Sequence, residues 1–360
     1  MTTEERTRVG IEKLTNFSAR ILQKLGVPEE DAIITARILV ACDLRGVESH
    51  GVGHLVVFYV KRIKDGAINV TPNIKLTSTA ASTATMDGDS GLGFVVGYRA
   101  MEDAIKRAKD TGAGFVAVRN STHFGAGAYY AMMALEHNMI GFSATNTGAG
   151  VVAPGASSGA VGTNPLAVAI PAGNKPDFVL DMATSVVAAG KLELARMKGE
   201  MIPEGWAIDK DGNPITDPTK RVRGEGGMLP LGGTPALGVY KGFGLGVAVE
   251  ILCGILSGAI ARLLVPRGDP ATAGKNDHFF GALRIDSFTP IPQFKQSMDD
   301  FIEAIENLPK LPGVKNIYTP GGVEAPIVAD RKANGIPLHP KVLADLKGAA
   351  EELGVDFDIL

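Results

Sequence analysis

Residues 43–54 read DLRGVESHGVGH and carry more reactive side chains than any other stretch of this length. The preceding residues 10–42 place apolar side chains at helical spacing and are divided by Gly26-Val27-Pro28, so two helices are predicted. Three glycines within the stretch let the backbone turn sharply where those helices end. Its polar side chains can bind an anion, move a proton or accept a hydrogen bond; they are Arg45, Glu48, Ser49, His50 and His54. We therefore expect this loop to form one wall of a functional site.

The composition is that of an ordinary globular protein with more than one structural unit. The 360 residues are 45% hydrophobic and 21% charged, with 36 basic against 39 acidic side chains. No basic run is present, which argues against nucleic acid as a partner. The two cysteines, Cys42 and Cys253, are far apart, and residues 1–14 lack the apolar run of a signal peptide. We expect a cytoplasmic protein.

Residues 242–264 are strongly apolar and need a decision between a membrane helix and a core helix. Glu250 and several glycines interrupt the stretch. A charge at mid-membrane costs about 2.5–3.5 kcal/mol on insertion scales. The sequence therefore predicts a buried core helix and no membrane partner.

A change in sequence character near residue 72 suggests three segments. Residues 74–89 are rich in threonine and β-prone, so residues 73–288 are predicted to form a sheet domain. Residues 1–72 and 289–360 are richer in helical patterns and are expected to pack together as a smaller helical domain. The chain is thus predicted to be an α+β protein.

Two predicted strands end at polar residues. A strand over 114–118 leads into a polar loop that contains His123 and glycines, which is a common setting for catalytic groups. A strand over 178–180 is followed by residues 181–185, which we expect to open a helix whose amides favour an anion.

His50 and His54 are four residues apart, and this spacing allows two interpretations. On a helix both rings share one face, so a metal-dependent hydrolase is one hypothesis. Zinc motifs of this kind place a glutamate directly after the first histidine, whereas this chain has Gly51 there. A proton-transfer role is the favoured hypothesis, and no metal site is predicted. A catalytically silent protein that binds a cofactor is a third hypothesis.

The chain has no G-x-G-x-x-G motif between a strand and a helix. A doubly wound dinucleotide-binding fold is therefore not supported. Any nucleotide has to be bound by other glycine-rich loops.

Six motifs occur in an order that resembles one protein family. They are Asp43-Leu44-Arg45-Gly46 with Ser49-His50-Gly51, Ser121 with His123-Phe124-Gly125, Gly162-Thr163-Asn164-Pro165, Asp181-Met182-Ala183-Thr184-Ser185, Leu231-Gly232-Gly233 and Tyr240-Lys241-Gly242. In this order the chain resembles the malate/L-lactate dehydrogenase family. That family also contains ureidoglycolate and sulfolactate dehydrogenases, diketogulonate reductases and cyclic imine reductases, and it differs from the Rossmann-type malate and lactate dehydrogenases.

The resemblance implies a homodimer of α+β subunits with a mainly antiparallel central sheet. It implies non-Rossmann binding of NAD or NADP, beside a helical domain made from both chain ends. The cofactor-contacting positions that it implies are Asn146, Thr163, Asn164, Asp181, Met182, Ala183, Tyr240, Lys241, Gly321, Gly322 and Glu324. The substrate is expected to be a small 2-hydroxy or 2-keto acid, most simply malate/oxaloacetate or a lactate-like acid. A cyclic imine or ureidoglycolate is the alternative within the family.

His50 and His123 match the two histidines to which proton transfer is assigned in different family members. We favour His123 as the acid/base, because an imidazole near neutrality serves both directions of a hydroxy acid oxidation. The substrate carboxylate needs a cationic anchor, yet the arginine that many relatives carry is replaced here by His54. The remaining candidates are Arg45, Ser49 and Tyr59. If His54 binds the anion only when protonated, substrate affinity should improve as the pH falls.

Overall fold

The computed structural model describes residues 6–78, 80–220, 225–266 and 274–360. Its α-helices are α1 Ile11–Lys24, α2 Glu29–Leu44, α3 Lys61–Lys64, α4 Gly93–Thr111, α5 Gly127–Met133, α6 Ala189–Lys198, α7 Val239–Cys253, α8 Ile291–Glu306, α9 Glu324–Asn334 and α10 Pro340–Leu353. Its strands are β1 Thr7–Val9, β2 Lys75–Thr77, β3 Thr83–Asp87, β4 Ala113–Thr122, β5 Met139–Thr145, β6 Val151–Val152, β7 Gly159–Val161, β8 Leu166–Ile170, β9 Phe178–Met182, β10 Ala207–Ile208, β11 Gly227–Met228, β12 Lys275–Arg284 and β13 Ile336–Leu338.

A central sheet organises the protein. Among the described residues it has the order β2-β3-β4-β12-β5-β8-β9. Only the β3–β4 pair is parallel, and every other neighbouring pair is antiparallel. Strands β6, β7, β10 and β11 form a second, smaller sheet. The predicted α+β class with a mainly antiparallel central sheet is confirmed.

The central strand β12 shows how the two faces of the sheet are covered. Successive side chains of a strand point to opposite faces. Phe280 packs with Tyr130 of α5 and lies under Gly97 of α4, whereas Phe279 joins a cluster with Val249 of α7. Helices α4 and α5 therefore cover one face, and α7 covers the other.

The two ends of the chain meet in a helical layer beside the sheet. Strand β1 pairs with β13 in antiparallel register, and the helices α1 and α2 contact α10 and α9. Helix α8 is placed differently, because Asp299 accepts hydrogen bonds from the amides of residues 173–175 between β8 and β9. The domain boundaries at residues 72 and 288 remain a prediction.

One end of the central sheet gathers the polar loops of the sequence. Antiparallel pairing brings the end of β4, at Thr122, beside the start of β12, at Lys275. In the same way, the start of β8 at Leu166 faces the end of β9 at Met182, and β5 ends between β12 and β8. The loops that follow β4, β5 and β9 therefore share one edge of the sheet.

Of two local predictions at this edge, the strand is confirmed but longer than predicted, and the helix at 181–185 is wrong. The strand predicted over 114–118 continues to Thr122, because the polar backbone is satisfied there: the Asn120 amide donates to Asp277 at 3.1 Å. Residues 181–185 do not open a helix. Asp181 pairs with Ala167 within β9, and the helix begins only at Ala189. No helix N-terminus gathers amides for an anion at 181–185. Helix α9 was not predicted.

The apolar segment after residue 238 is a helix, but the prediction of a core helix is wrong. Residues Val239–Ser257 form a helix that is, within the described parts of the chain, long and apolar enough to span a membrane, although its most apolar window is 39% buried. Ile251 is 46% exposed and Ile255 is 56% exposed. Glu250 on the inward face is buried and bonded to Asn146 and Asn164. One face of α7 docks on the sheet, and the other is left uncovered.

Candidate active site

His123 stands at the sheet edge, directly after β4. The Tyr59 hydroxyl lies 2.6 Å from His123 Nδ1, and the Gly125 amide donates to the same nitrogen at 3.4 Å. These bonds fix the ring and leave Nε2 as the nitrogen that is available to a ligand. Because a phenol both donates and accepts, Tyr59 supports either neutral tautomer of His123. In the tautomer that carries its proton on Nδ1, Tyr59 accepts from Nδ1, the long 3.4 Å contact from the Gly125 amide is given up, and Nε2 can take a proton.

The structure brings the predicted histidines together. The ring centroids of His50 and His123 are 5.6 Å apart and their planes differ by 20°. His54 continues the row, 6.2 Å from His50. Ser49 Oγ lies 2.9 Å from His50 Nδ1. The loop of the helical layer and the loop after β4 thus form opposite walls of one cleft.

Tyr59 does not have the predicted role of a carboxylate contact. Its ring is only 1% exposed, and its hydroxyl is bound to His123. The segment Leu55–Val60 that carries it is a π-helix. Tyr59 is a positioning residue for His123.

A buried carboxylate holds the histidine loop in place. Asp43 Oδ2 accepts a hydrogen bond of 2.7 Å from the Val52 amide. A Cβ added at Gly51 would overlap the Asp43 carboxylate, so the loop can pass this close only with glycine. Arg331 of α9 donates to the Asp43 carbonyl and, at 2.9 Å, to Glu48 Oε1. Both ends of the chain therefore fix the position of His50.

Burial keeps the cleft histidines neutral. It lowers the pKa of His50 to about 4 and, with the charges of neighbouring cations, the pKa of His123 to about 3. Burial also lowers the pKa of His54, so a gain in anion affinity from its protonation begins only below its ordinary value of about 6.5. At neutral pH each ring can accept a proton.

This protonation state predicts different pH profiles for the two directions of proton transfer. A step in which His123 accepts a proton should keep a constant kcat/KM from about pH 8 to 5, since the base form persists throughout. A step in which His123 donates should gain up to about tenfold in kcat/KM per unit of falling pH. Steady-state kinetics across this range test the expectation. A break near pH 6.5 in both directions would contradict it.

The ring geometry does not favour the metal-dependent hydrolase. The planes of His50 and His54 differ by only 6° at a centroid separation of 6.2 Å. Lone pairs that lie in two parallel planes do not converge at the ~2.0–2.1 Å that zinc requires. In the described residues, no group of three histidine, cysteine, aspartate or glutamate side chains is placed to hold a metal ion.

Asn146 and Asn164, which were predicted to contact the cofactor, have buried side chains. Both are fully buried, and their side-chain amides donate to Glu250 at 3.3 and 3.2 Å. Asn146 also bonds to Asp277, which in turn accepts from Arg262 Nη2 at 2.8 Å. Their side chains belong to an internal polar network under α7, so the predicted direct contact with a cofactor is not supported. Sequence reasoning missed this network.

The other predicted cofactor positions surround the cleft. Met182 and Ala183 are partly exposed at the end of β9, and the Thr184 amide bonds to the Thr163 carbonyl at 2.9 Å. Asp181 accepts a hydrogen bond of 2.8 Å from the Ala128 amide, and the charges of Arg45 and Glu324 act on its carboxylate. Arg45, Asp181 and Glu324 are therefore neighbours across the cleft.

Gly321 and Gly322 are buried where their loop packs against β9. Gly321 has φ +94°, and an added Cβ would lie 2.5 Å from the Asp177 carbonyl oxygen. Only glycine permits this approach. The two glycines set the start of α9 and hence the position of Glu324.

Tyr240 and Lys241 are exposed at the start of α7. The helix lies near the sheet edge, since Gly246 in its middle packs against Thr184. Tyr240 is 63% exposed, and Lys241 Nζ lies 5.9 Å from the centre of its ring. An exposed ring, a cation and a helix N-terminus suit a planar base and a phosphate. These residues fit a dinucleotide.

Comparison with known proteins identifies the family. The model of the malate/L-lactate dehydrogenase family matches residues 9–347. The chain belongs to this family. The malate dehydrogenase of Pyrococcus horikoshii is 47% identical over 98% of the chain and 97% of its own length. The L-sulfolactate dehydrogenase of Methanocaldococcus jannaschii is 40% identical over 94% of the chain and 95% of its own length.

A solved structure agrees with this assignment. The malate dehydrogenase of Entamoeba histolytica superposes with a TM-score of 0.94 at 33% identity, covering 98% of the chain and all of its own. The family resemblance inferred from the six motifs is confirmed, and the chain is a dehydrogenase. A nicotinamide cofactor follows from the family, whereas the choice between NAD and NADP does not.

Proposed function

We propose that this dehydrogenase oxidises a small 2-hydroxy acid to the 2-keto acid, with malate as the first candidate. The observation that carries the proposal is the row of neutral imidazoles at the sheet edge, with His123 held by Tyr59 at 2.6 Å. Relatives named malate and sulfolactate dehydrogenase support the choice of substrate class.

His123 Nε2 takes the hydroxyl proton as the C2 hydride leaves, and returns it when the keto acid is reduced. Nδ1 carries its own proton throughout and donates it to the Tyr59 oxygen, and this bond stabilises the imidazolium that forms. His50, stacked on the other side, limits water at the reacting atoms. Arg45 and Ser49 remain the predicted contacts of the substrate carboxylate next to the hydroxyl.

The nicotinamide cofactor supplies the site that accepts or donates the hydride. Tyr240 and Lys241 would hold its adenosine and phosphate portion, and Met182 and Ala183 would line the approach to His123. The selectivity between NAD and NADP is part of the same proposal and is left to the assay below.

The decisive experiment is a substrate panel followed by the absorbance of the reduced cofactor. Oxaloacetate, pyruvate, sulfopyruvate and one cyclic imine are each assayed with NADH and with NADPH. Turnover highest with a 2-keto acid supports the proposal. Turnover confined to the cyclic imine identifies a reductase of that kind instead, and turnover with none of them points to the silent binding protein.

We also propose that two copies form a homodimer through the uncovered face of α7. Large exposed apolar patches mark interfaces. The exposed apolar side chains of this face and the turns after it are Leu245, Ile251, Leu252, Ile255, Leu256, Ile260, Leu263 and Leu264. Because they come from one continuous segment of the chain, they form an apolar surface on which a second copy can pack.

Substitution of Ile255 by lysine is expected to convert the dimer into a monomer. The added charge would be buried in the contact without a partner. Light scattering after size-exclusion chromatography should give twice the 37.6 kDa chain mass for the parent protein and the mass of one chain for the variant. The control is Leu76→Lys on the edge strand β2, where the leucine is 45% exposed. A parent protein that runs as a monomer would refute the proposal.

A further inference from the structure

Arg62 lies one aromatic ring away from the acid/base histidine. Its guanidinium carbon is 5.1 Å from the centre of the Phe58 ring. The same Phe58 ring meets His123 edge to face at 5.5 Å and lies 6.1 Å from His54. Phe58 is thus a wall of the cleft, and Arg62 is stacked on that wall.

The backbone directly before β12 lies against the guanidinium from another side. A Cβ added at Gly274 would overlap the Arg62 guanidinium. Gly274 directly precedes Lys275, which pairs with Thr122 beside His123. Arg62 therefore lies at the same end of β4 and β12 as the proton-transfer histidine, and its charge is one of those that help to keep the pKa of His123 low after burial.

Within the described part of the chain Arg62 forms no salt bridge, and the nearby Asp65 acts on it only through its charge, which raises the pKa of Arg62. No carboxylate forms an ion pair with it, and its Nε atom is buried without a hydrogen-bond partner. By contrast, Arg99 pairs with Asp31 at 2.6 Å and Lys64 with Glu352 at 2.5 Å. A partly buried guanidinium without an anion is costly, and its planar fork is suited to a carboxylate.

A four-carbon diacid carries two carboxylates that need separate partners in the site. The carboxylate at C1 is bonded to the carbon whose hydroxyl His123 deprotonates, so it stays close to the histidines. The carboxylate at C4 lies two carbons farther out and needs a separate cation. His54 supplies no fixed charge at neutral pH, because burial lowers its pKa.

We propose that Arg62 binds the distal carboxylate of the substrate and makes the enzyme selective for 2-hydroxy and 2-keto diacids over monoacids of equal chain length. This inference rests on the proposed function. It adds a specificity residue that lies outside the six motifs. The sequence signal for it is the spacing of His54, Phe58 and Arg62, each four residues after the last.

The test compares oxaloacetate with 2-oxobutanoate, which has the same four carbons but no distal carboxylate. Arg62→Gln should lower kcat/KM for oxaloacetate by about 10–100-fold, mainly through KM, because a charge-assisted hydrogen bond is lost. The values for 2-oxobutanoate should stay within about threefold. Arg62→Lys should recover part of the loss, since the charge remains without the planar fork.

Lys61→Gln is the matched control, because it removes the same charge from the adjacent, exposed position. It should leave kcat/KM unchanged for both oxaloacetate and 2-oxobutanoate. Equal losses for both keto acids in Arg62→Gln, or no loss for either, would overturn the inference.

A binding measurement separates this inference from the proposed function. Succinate should raise the melting temperature of the parent protein more than butyrate does, and Arg62→Gln should abolish the difference. If no keto acid is turned over, the proposed function fails while this measurement still decides the role of Arg62. Equal shifts with succinate and butyrate would refute it.

Discussion

Substitution of His123 by glutamine is expected to lower kcat by about 10²–10⁴-fold, the usual contribution of a positioned acid/base. Glutamine keeps a polar side chain of similar reach, so the fold should persist. The variant loses the imidazole nitrogen that takes the proton. Tyr59 cannot replace it, because its hydroxyl only serves as the hydrogen-bond partner of the ring. Steady-state kinetics in both directions, with circular dichroism to check folding, measure the effect.

His137→Gln is the matched control, because this histidine is exposed on the turn after α5. It should leave kcat unchanged. His50→Gln should reduce kcat less than His123→Gln, since His50 stacks on His123 without sharing its bond to Tyr59. A loss of less than tenfold for His123→Gln, together with an inactive His50 variant, would reverse the two assignments.

Substitution of Arg262 by methionine is expected to lower the free energy of unfolding by about 3–5 kcal/mol, the cost of breaking a buried ion pair from one side. The side chains of Arg262 and Asp277 are 8% and 2% exposed, and their N···O distance is 2.8 Å. Methionine fills similar volume but leaves Asp277 buried without its cation. Urea titration followed by circular dichroism gives the change.

The exposed pair Arg284–Asp286 supplies the control. Its side chains are 34% and 42% exposed, and such pairs contribute only about 0–1 kcal/mol, so Arg284→Met should have little effect. In the Arg262 variant, Asp277→Asn should restore part of the stability, because a neutral amide needs no counter-charge. Equal losses for Arg262→Met and Arg284→Met would show that the internal network does not depend on the ion pair.

The sequence allowed the helices α1 and α2 to be predicted, since both place apolar residues at helical spacing. It was less informative where backbone pairing decides the conformation. Asp181 and Met182 carry no strand signal of their own, yet they continue β9 because β8 offers them partners. The helix expected there begins instead at Ala189.

The same limit applied to the side chains of the site. Asn146 and Asn164 stand in glycine-rich loops, as cofactor contacts do. In the folded protein, however, the Asn146 side chain is buried because it donates hydrogen bonds to Glu250 of α7 and Asp277 of β12. No local pattern shows that a carboxylate 104 residues away will satisfy an asparagine. Burial of a polar group depends on such distant partners.

By itself the sequence determined the chemical inventory and its order: the Ser49-His50 loop, His123 after a strand, the Tyr240-Lys241 helix start and, through six motifs, the family and its fold. The tertiary structure decided which of these residues act together. Tyr59 turned from a carboxylate contact into the partner of His123, and Arg62 became the unpaired cation beside the cleft. The reason is physical: helical and strand periodicity are properties of neighbouring residues, whereas proton transfer and anion binding depend on distances that only the packed chain sets.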